Sequence, residues 1–228
     1  MTALSPLDEE KARLRRDMLA RRKAAAAAAP EAGHALAANV FQAIRLPEAA
    51  PCSGFWPMGD ELDLRPLLAR LHQRNGDHFR LAMSLEPGMT EPAFWEHVLA
   101  DQQRAVQDGT GVFLLGFLKS SPQPEVGCVI SFSGIVHDEF DCCWLGYRMD
   151  RALQGRGLMH AALAPAIAAM FERHRLHRIL ASHQPDNLRS AAVLRRLGFG
   201  IEGYSRDFMK VNGEWKDNVL LSLIAPGN

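Results

Sequence analysis

Apolar positions along this chain recur with two different periods, and the places where the period changes mark its elements. Residues 8–45 read as helix. "DEEKARLRRDMLARRKAAAAAA" is strongly helix-forming, its acids precede its bases as the helix dipole favours, and "EAGHALAANVFQAI" resumes after a breaker at Pro30. "APCSGFWPMGDELD" is a short extended segment closing in a Pro/Gly/Asp turn. "LDLRPLLARLHQRN" then sets Leu64, Leu67, Leu68 and Leu71 on one helical face. "EPAFWEHVLADQQRAVQDGT" predicts an amphipathic helix with Phe94, Val98, Leu99 and Val106 as its apolar residues, ending near Gly109.

Beyond Gly109 the period shortens to two. "GVFLLGFL" and "VGCVISFSGI", joined by "KSSPQPE", predict a β-hairpin, and "CCWLGYRM" adds a strand after "VHDEFD". A helix from about Gly157 to His174 follows, then the strand "HRILASHQ" and the helix "DNLRSAAVLRRL", stopped by Gly198 at its C′ position. The last strands, "GIEGYSRDFMKV" and "EWKDNVLLSLI", meet at Asn212-Gly213, a strong hairpin signal. From residue 90 onward the order is helix, three strands, helix, strand, helix, two strands. That order predicts an α/β (α+β) fold, a mixed sheet with helices on both faces.

Composition narrows the class of function. The 228 residues suffice for one large domain, or a domain with an appendage, and 47% hydrophobic residues supply a substantial core. Lys plus Arg and Asp plus Glu number 26 each, which argues against a general binder of nucleic acid or of a membrane surface. No apolar run approaches the ~18 residues of a membrane span, and the N-terminus lacks the apolar core of a signal peptide, so a cytoplasmic location is expected. Cys52, Cys128, Cys142 and Cys143 form no C-x-x-C pair. Cys142 and Cys143 would point to opposite faces of their strand; all four are expected to be reduced, half-buried residues with no structural zinc.

Candidate chemistry gathers at "LQGRGLMHAAL", Leu153 to Leu163, between a strand and a long apolar helix. A helix N-terminus leaves up to four amides unbonded and carries partial positive charge. Gly155 and Gly157 would let backbone approach a diphosphate, with Arg156 as a countercharge; the same residues also serve a turn that does nothing but start a helix. The stretch is neither a Walker A loop, which needs G-K-[ST], nor G-x-G-x-x-G, because His160 stands where the third glycine belongs.

The elements "LGYRMDRALQGRGLMHAAL", "LHRILASHQPDNLRSAAVLRRLGFGIEGYSRDF" and "VNGEWKDNVLLSL", in this order and spacing, resemble the GNAT acyl-CoA N-acetyltransferases. Among them they look most like the Rim-type protein-α-amine acetyltransferases, particularly the RimJ branch. The resemblance extends from about Asp77 to the end of the chain and implies a GNAT-like acyltransferase fold. It implies that Gln154, Gly155, Arg156, Gly157, Leu158 and Met159 bind the CoA diphosphate through main-chain amides. Leu145, Gly146 and Tyr147 would splay from the strand Arg178–His183 and hold pantetheine. Asn187 would orient the cofactor arm, and Ser190 would hydrogen-bond or protonate the departing thiolate. A phenol used by many relatives falls at Leu194, where it is absent, leaving Tyr204 as the nearest other phenol. Asp138, Glu139, Glu202 and Asp207 remain open as the base, Glu202 being part of the family resemblance. Taken alone, Asp186 and Asn187 are ordinary helix-start residues, Ser190 an ordinary surface serine, and His137 and His160 surface or packing residues.

Residues 8–76 are similar instead to the start of 5-formyltetrahydrofolate cyclo-ligase, through "EEKARLRRDMLARR" and "SGFWPMGDELDLRPLLARLHQRNG". That resemblance would bring Lys11 and Arg15 near ATP and Glu61 near folate, but the family's C-terminal glycine-rich ATP and magnesium segment is missing. Two domains are therefore expected, an incomplete N-terminal segment over 1–76 and an acetyltransferase over 77–228. Either the segment around Phe55 and the helix Leu64–Gln73 replace the usual opening strand and helix, or the sheet lacks an edge strand. The expected activity is acetyl transfer from acetyl-CoA, without metal, to a primary amine such as the N-terminus of a ribosomal protein, by a monomer or homodimer. The alternatives are a CoA-binding module without turnover and a folate-pathway remnant.

Overall fold

The computed structural model describes residues 53–54, 63–117 and 125–227. The helices expected over 8–45, Cys52, Phe55, Lys11, Arg15, Glu61 and most of the "KSSPQPE" turn lie outside the described residues. The chain divides into one compact unit of Leu46–Trp56, Leu64–Ser121 and Glu125–Asn228 and another of Met1–Arg45, Pro57–Asp63 and Pro122–Pro124. Every described residue but Asp63 belongs to the first unit, whose architecture follows.

The elements in chain order are β1 (Ser53–Gly54), α1 (Arg65–Phe79), α2 (Phe94–Gln107), β2 (Gly111–Phe117), β3 (Val126–Val136) and β4 (Cys142–Met149). They continue with a 3-10 turn (Arg151–Leu153), α3 (Leu158–His174), β5 (Arg178–His183), α4 (Leu188–Arg196), β6 (Gly200–Val211) and β7 (Glu214–Ile224). The strands form one mixed sheet in the order β1-β2-β3-β4-β5-β7-β6. Its pairings are antiparallel except β4 with β5, which run parallel across the α3 crossover. The mixed α/β architecture implied by the resemblance is thus observed.

Strand alternation sorts the sheet's side chains by face. Cys143, Leu145 and Met149 of β4 and Ile179 and Ala181 of β5 join Met159, Leu163, Ile167 and Met170 of α3 and Leu194 of α4 in one buried cluster. Full burial of each large apolar side chain contributes about 1.5–3 kcal/mol. On the opposite face, α1 packs against α2 and β3, and α2 packs against β2. Cys142 is half-buried and Cys143 buried, as their opposite faces require.

Three turns hold the stops that the residues dictate. Gly198 ends α4 at φ +90°, Gly109 follows α2 at φ +72°, and Asn212 and Gly213 both take positive φ between β6 and β7. Two expectations needed correction. Trp95, not Val106, anchors α2: Trp95 is 2% exposed and its Nε1–H donates to Met89 O at 2.9 Å, whereas Val106 is 43% exposed. The face of α2 that meets β2 is set by tertiary contact and rotates the apolar stripe toward the tryptophan. Helix α1 also runs unbroken through Gly76 to Phe79, beyond Gln73, where the sequence pattern ended it. Burial of Leu71, His72, Asn75 and Phe79 along its inner face outweighs the ~1 kcal/mol that glycine costs a helix.

Candidate active site

β4 and β5 pair at Cys142–Arg178, Cys143–Ile179 and Trp144–Leu180 and no further, although β4 continues to Met149 and β5 to His183. Beyond Trp144 the two strands part, and their facing backbone groups lose each other as partners. The sheet therefore opens beside Leu145, Gly146 and Tyr147.

The chain leaves β4 through a pinned turn. Asp150 N–H donates to Gly127 O at 2.8 Å, and the Asp150 carboxylate caps the 3-10 turn by accepting from Ala152 N–H at 2.9 Å. Arg74 of α1 grips the same carboxylate, donating from Nε at 3.1 Å and Nη2 at 2.9 Å, and reaches Glu125 at 3.1 Å. Asn75 accepts the Arg151 N–H at 2.8 Å. Burial by itself would raise the Asp150 carboxyl; the bonds from Ala152, Asn75 and Arg74 outweigh it and hold the carboxyl below its ordinary range.

This turn delivers the glycine loop to α3. Gly155 and Gly157 both sit at φ +74°, Gly157 is the N-cap of α3, and no side chain caps the helix. A Cβ at either glycine would meet nothing within 4 Å, so space is open around the loop. The first amides of α3 thus point outward without an intrahelical acceptor, and exposed Arg156 adds positive charge. That is the chemistry of an anion site, and a CoA diphosphate fits it. Gln154 fastens the loop sideways: its Nε2 lies 2.5 Å from His78 Nε2 of α1, and its Oε1 accepts from Arg189 of α4 at 3.0 Å. Burial, with Arg189 and Arg151 nearby, holds the His78 imidazole below its ordinary value. Leu158 packs against the core and Met159 is buried in it, so their amides, not their side chains, are what the loop presents.

Across the opening, Asn187 caps α4 by accepting the Ser190 N–H at 3.2 Å. The cap turns the Ser190 hydroxyl inward, where its Oγ lies 2.6 Å from the Tyr147 phenol oxygen. The Tyr147 hydroxyl also lies 3.4 Å from the Ser190 carbonyl oxygen. Burial pushes the Tyr147 phenol up to about 12, so it remains protonated and can donate. Tyr147, Asn187 and Ser190 therefore meet at the parted strands. Leu194, one turn further on, is wholly buried in the core.

The other sequence-derived candidates lie elsewhere. Glu202 accepts from Ser222 Oγ at 2.7 Å and is ion-paired with Arg178; these two partners hold its carboxyl below the usual range. Arg178 opens β5 at the end where β4 and β5 are paired, so Glu202 is not brought to the Tyr147–Ser190 pair. Asp138 accepts the Phe140 N–H at 2.8 Å in the β3–β4 turn, and Glu139 lines a shallow depression with Arg175 and His177, also at the paired end. Tyr204, 58% exposed, donates to Asp217 Oδ2 at 2.6 Å, and that bond raises its phenol. Asp207, at φ +48° in a bulge of β6, donates its N–H to Asp217 Oδ1 at 2.9 Å. The Tyr204–Asp207–Asp217 group sits near the end of β7 that pairs with the end of β5, flanking the opening. Asp217, Arg74, Asn75 and Asp150 were missed by sequence reasoning. The "YRMD" run placing Asp150 just after a strand was a turn signal, but its partners come from a helix 76 positions earlier in the chain.

Comparison with known proteins agrees with this geometry. The family model described as acetyltransferase (GNAT) domain matches residues 54–200. The [ribosomal protein uS5]-alanine N-acetyltransferase of Escherichia coli (strain K12) is 37% identical over 135 residues, covering 59% of this chain and 69% of that protein. A probable N-acetyltransferase of Bacillus subtilis (strain 168), YjcK, is 34% identical over 111 residues, covering 49% of this chain and 61% of that protein. Among solved structures, the ribosomal-protein-S5-alanine acetyltransferase from Vibrio fischeri superposes with a TM-score of 0.68 at 28% identity, over 72% of this chain and 89% of that one. RimL, a ribosomal L7/L12 α-N-protein acetyltransferase solved with coenzyme A, has a TM-score of 0.67 at 21% identity, over 78% of this chain and 94% of that one, a likeness of fold. The cyclo-ligase resemblance of residues 8–76 finds no support: the matching model begins at residue 54, inside that segment, and takes in α1.

Proposed function

This chain belongs to the GNAT acetyltransferase family, and from that premise we propose that it transfers the acetyl group of acetyl-CoA to the α-amine of a protein N-terminus. The observation that carries the reading is the Ser190–Tyr147 hydroxyl pair, 2.6 Å apart, at the parting of β4 and β5 and one loop from an uncapped glycine-bearing helix start. The names of two relatives, a [ribosomal protein uS5]-alanine N-acetyltransferase and a ribosomal-protein-S5-alanine acetyltransferase, support a polypeptide amine as acceptor.

Acetyl-CoA supplies a thioester, whose carbonyl carbon gains a bond to the amine nitrogen and loses its bond to sulfur while the amine gives up a proton. The loop from Gln154 to Met159 would hold the diphosphate on backbone amides. The free edge of β4 at Leu145, Gly146 and Tyr147 would take the pantetheine amides in place of the partner strand it lacks. Asn187 acts by capping α4 and so fixing the Ser190 hydroxyl. Ser190 donates to the departing sulfur while Tyr147 donates to Ser190 Oγ, a two-hydroxyl relay aimed at developing negative charge. A phenol at about 12 is too weak an acid to surrender its proton to a thiolate of ordinary value ~8.5, so the pair stabilises the leaving group by hydrogen bonding. Of the four acids open as base, Asp207 alone lies toward the open end; it would act through water, next to Asp217 and Tyr204. Glu202 keeps a structural role beside Arg178.

The experiment is CoA release with synthetic N-terminal peptides, alongside acetyl-CoA binding followed by thermal shift. Turnover is expected to need a free α-amine, and Ser190→Ala to lower kcat at least about tenfold with acetyl-CoA binding retained. Binding without release on any amine would leave a CoA-binding module and refute the enzyme.

A further inference from the structure

Arg148 is a cation that the chemistry above does not use. It belongs to β4 and, alternating with Tyr147, faces away from α3 and α4, toward α1. The residue is half-buried, its Nε is buried with no hydrogen-bond partner, and burial pulls the guanidinium down to about 10, which leaves it charged at neutral pH. No carboxylate among the described residues pairs with it. The nearest along the chain, Asp150, is engaged by Arg74. His72 of α1 lies near enough for the charge of Arg148 to act on it; its Nδ1 lies 2.9 Å from Leu68 O and its Nε2 is likewise buried without a partner. A half-buried guanidinium left without an anion is destabilising, and a neutral side chain would fill the same volume without that cost.

The surroundings of Arg148 suit an extended chain. Two residues back on the same face is Gly146, where β4 contributes no side chain and the Ser131 hydroxyl, 2.8 Å from where a Cβ would stand, lies over the strand and donates to Gly146 O. Two further back is Trp144, 38% exposed, with the Phe208 ring 6.0 Å away. At ~3.3 Å per residue, Trp144 and Arg148 stand about 13 Å apart, the span of four extended residues. Between them lies the stretch where β4 has lost β5 as a neighbour, with Tyr147 and Ser190 on the other face of the sheet.

We propose that Arg148 selects the acceptor, pairing with an acidic side chain among residues 2 to 4 of the polypeptide whose N-terminus enters at Gly146. This rests on the acetyltransferase reading and names the substrate class of the same site. The ion pair forms as the acceptor docks and adds no step to the chemistry, so it belongs in KM.

The test compares peptides carrying Asp or Glu at position 2, 3 or 4 with their Asn or Gln counterparts, at saturating acetyl-CoA and with the full chain. At one or more positions the acidic peptide is expected to show a kcat/KM roughly tenfold higher, carried by KM. Arg148→Gln should bring that ratio close to one, and Arg148→Lys should restore part of it. A wild-type ratio near one at every position overturns the proposal, and needs no variant that folds. The same ratio persisting in Arg148→Gln overturns it as well. If the wild-type chain binds acetyl-CoA but acetylates none of the peptides, the polypeptide-acetyltransferase reading fails, and this inference with it.

Discussion

The Tyr147 phenol is buried, protonated and 2.6 Å from Ser190 Oγ, the hydroxyl proposed to meet the departing thiolate. Removing its oxygen should leave Ser190 free to rotate while the core around the ring stays filled. Tyr147→Phe is therefore expected to lower kcat about tenfold, the value of one oriented donor, with little change in the Kd for acetyl-CoA. A parallel loss in both quantities would mean that the ring, not the hydroxyl, carries the effect. His72 makes a second residue-scale prediction. Burial holds its imidazole at about 4 against an ordinary 6.5, so the unfolded chain takes up the proton first. Its contribution to stability is full above pH 6.5 and is lost as pH falls toward 4, at about 1.4 kcal/mol per pH unit. Urea unfolding of wild type and His72→Phe should show a stability difference that shrinks with acidity across that window; a constant difference would contradict the assignment.

At the scale of elements, the start of α3 and the parting of β4 from β5 make one device. Gly157 sits at φ +74° with open space where a Cβ would go, so Gly157→Ala brings conformational strain and no clash. The left-handed conformation costs an alanine about 1–2 kcal/mol, and the relaxed loop would turn amides away from the diphosphate. A lowered Tm and a roughly tenfold rise in the Kd for acetyl-CoA are expected, read by thermal shift and calorimetry. An unchanged Kd would move the diphosphate off this loop. The strands themselves were legible because each pairs with a sequence neighbour across a short turn or a helical crossover. The parting was not legible, because "CCWLGYRM" and "RILASH" carry no mark of the point at which their pairing stops.

At the scale of the whole described unit, α1 and the sheet are joined through a few polar contacts. Arg74 binds the Asp150 carboxylate, the Val126 carbonyl and Glu125, and Asn75 receives the Arg151 N–H. Arg74→Met would leave Asp150, 7% exposed, without its cation, for a loss of about 2 kcal/mol after allowing for the part-exposed arginine. Tm should fall, and the Kd for acetyl-CoA should rise with it because the same aspartate caps the turn that leads into the glycine loop. A fall in Tm with an unaltered Kd would separate α1 from the site.

Periodicity, with its Gly and Asn-Gly stops, gave the order and kind of the described elements from α2 onward, since burying one face of a strand or helix leaves a repeat of 2 or 3.6 residues in the text. The glycine loop and the "PDNLRS" helix start were equally plain, because positive φ and helix capping are local demands met by particular residue types. The rotation of α2 onto Trp95, the continuation of α1 past Gly76, the pairing of Tyr147 with Ser190 and the diversion of Glu202 to Arg178 were settled by the tertiary structure. Each depends on a partner brought close from a distant part of the chain: 43 positions separate Tyr147 from Ser190, and 24 separate Arg178 from Glu202. Local sequence fixes which residues can cap, turn or bury; which acid stays free and which hydroxyl finds a phenol is decided only when the strands have paired.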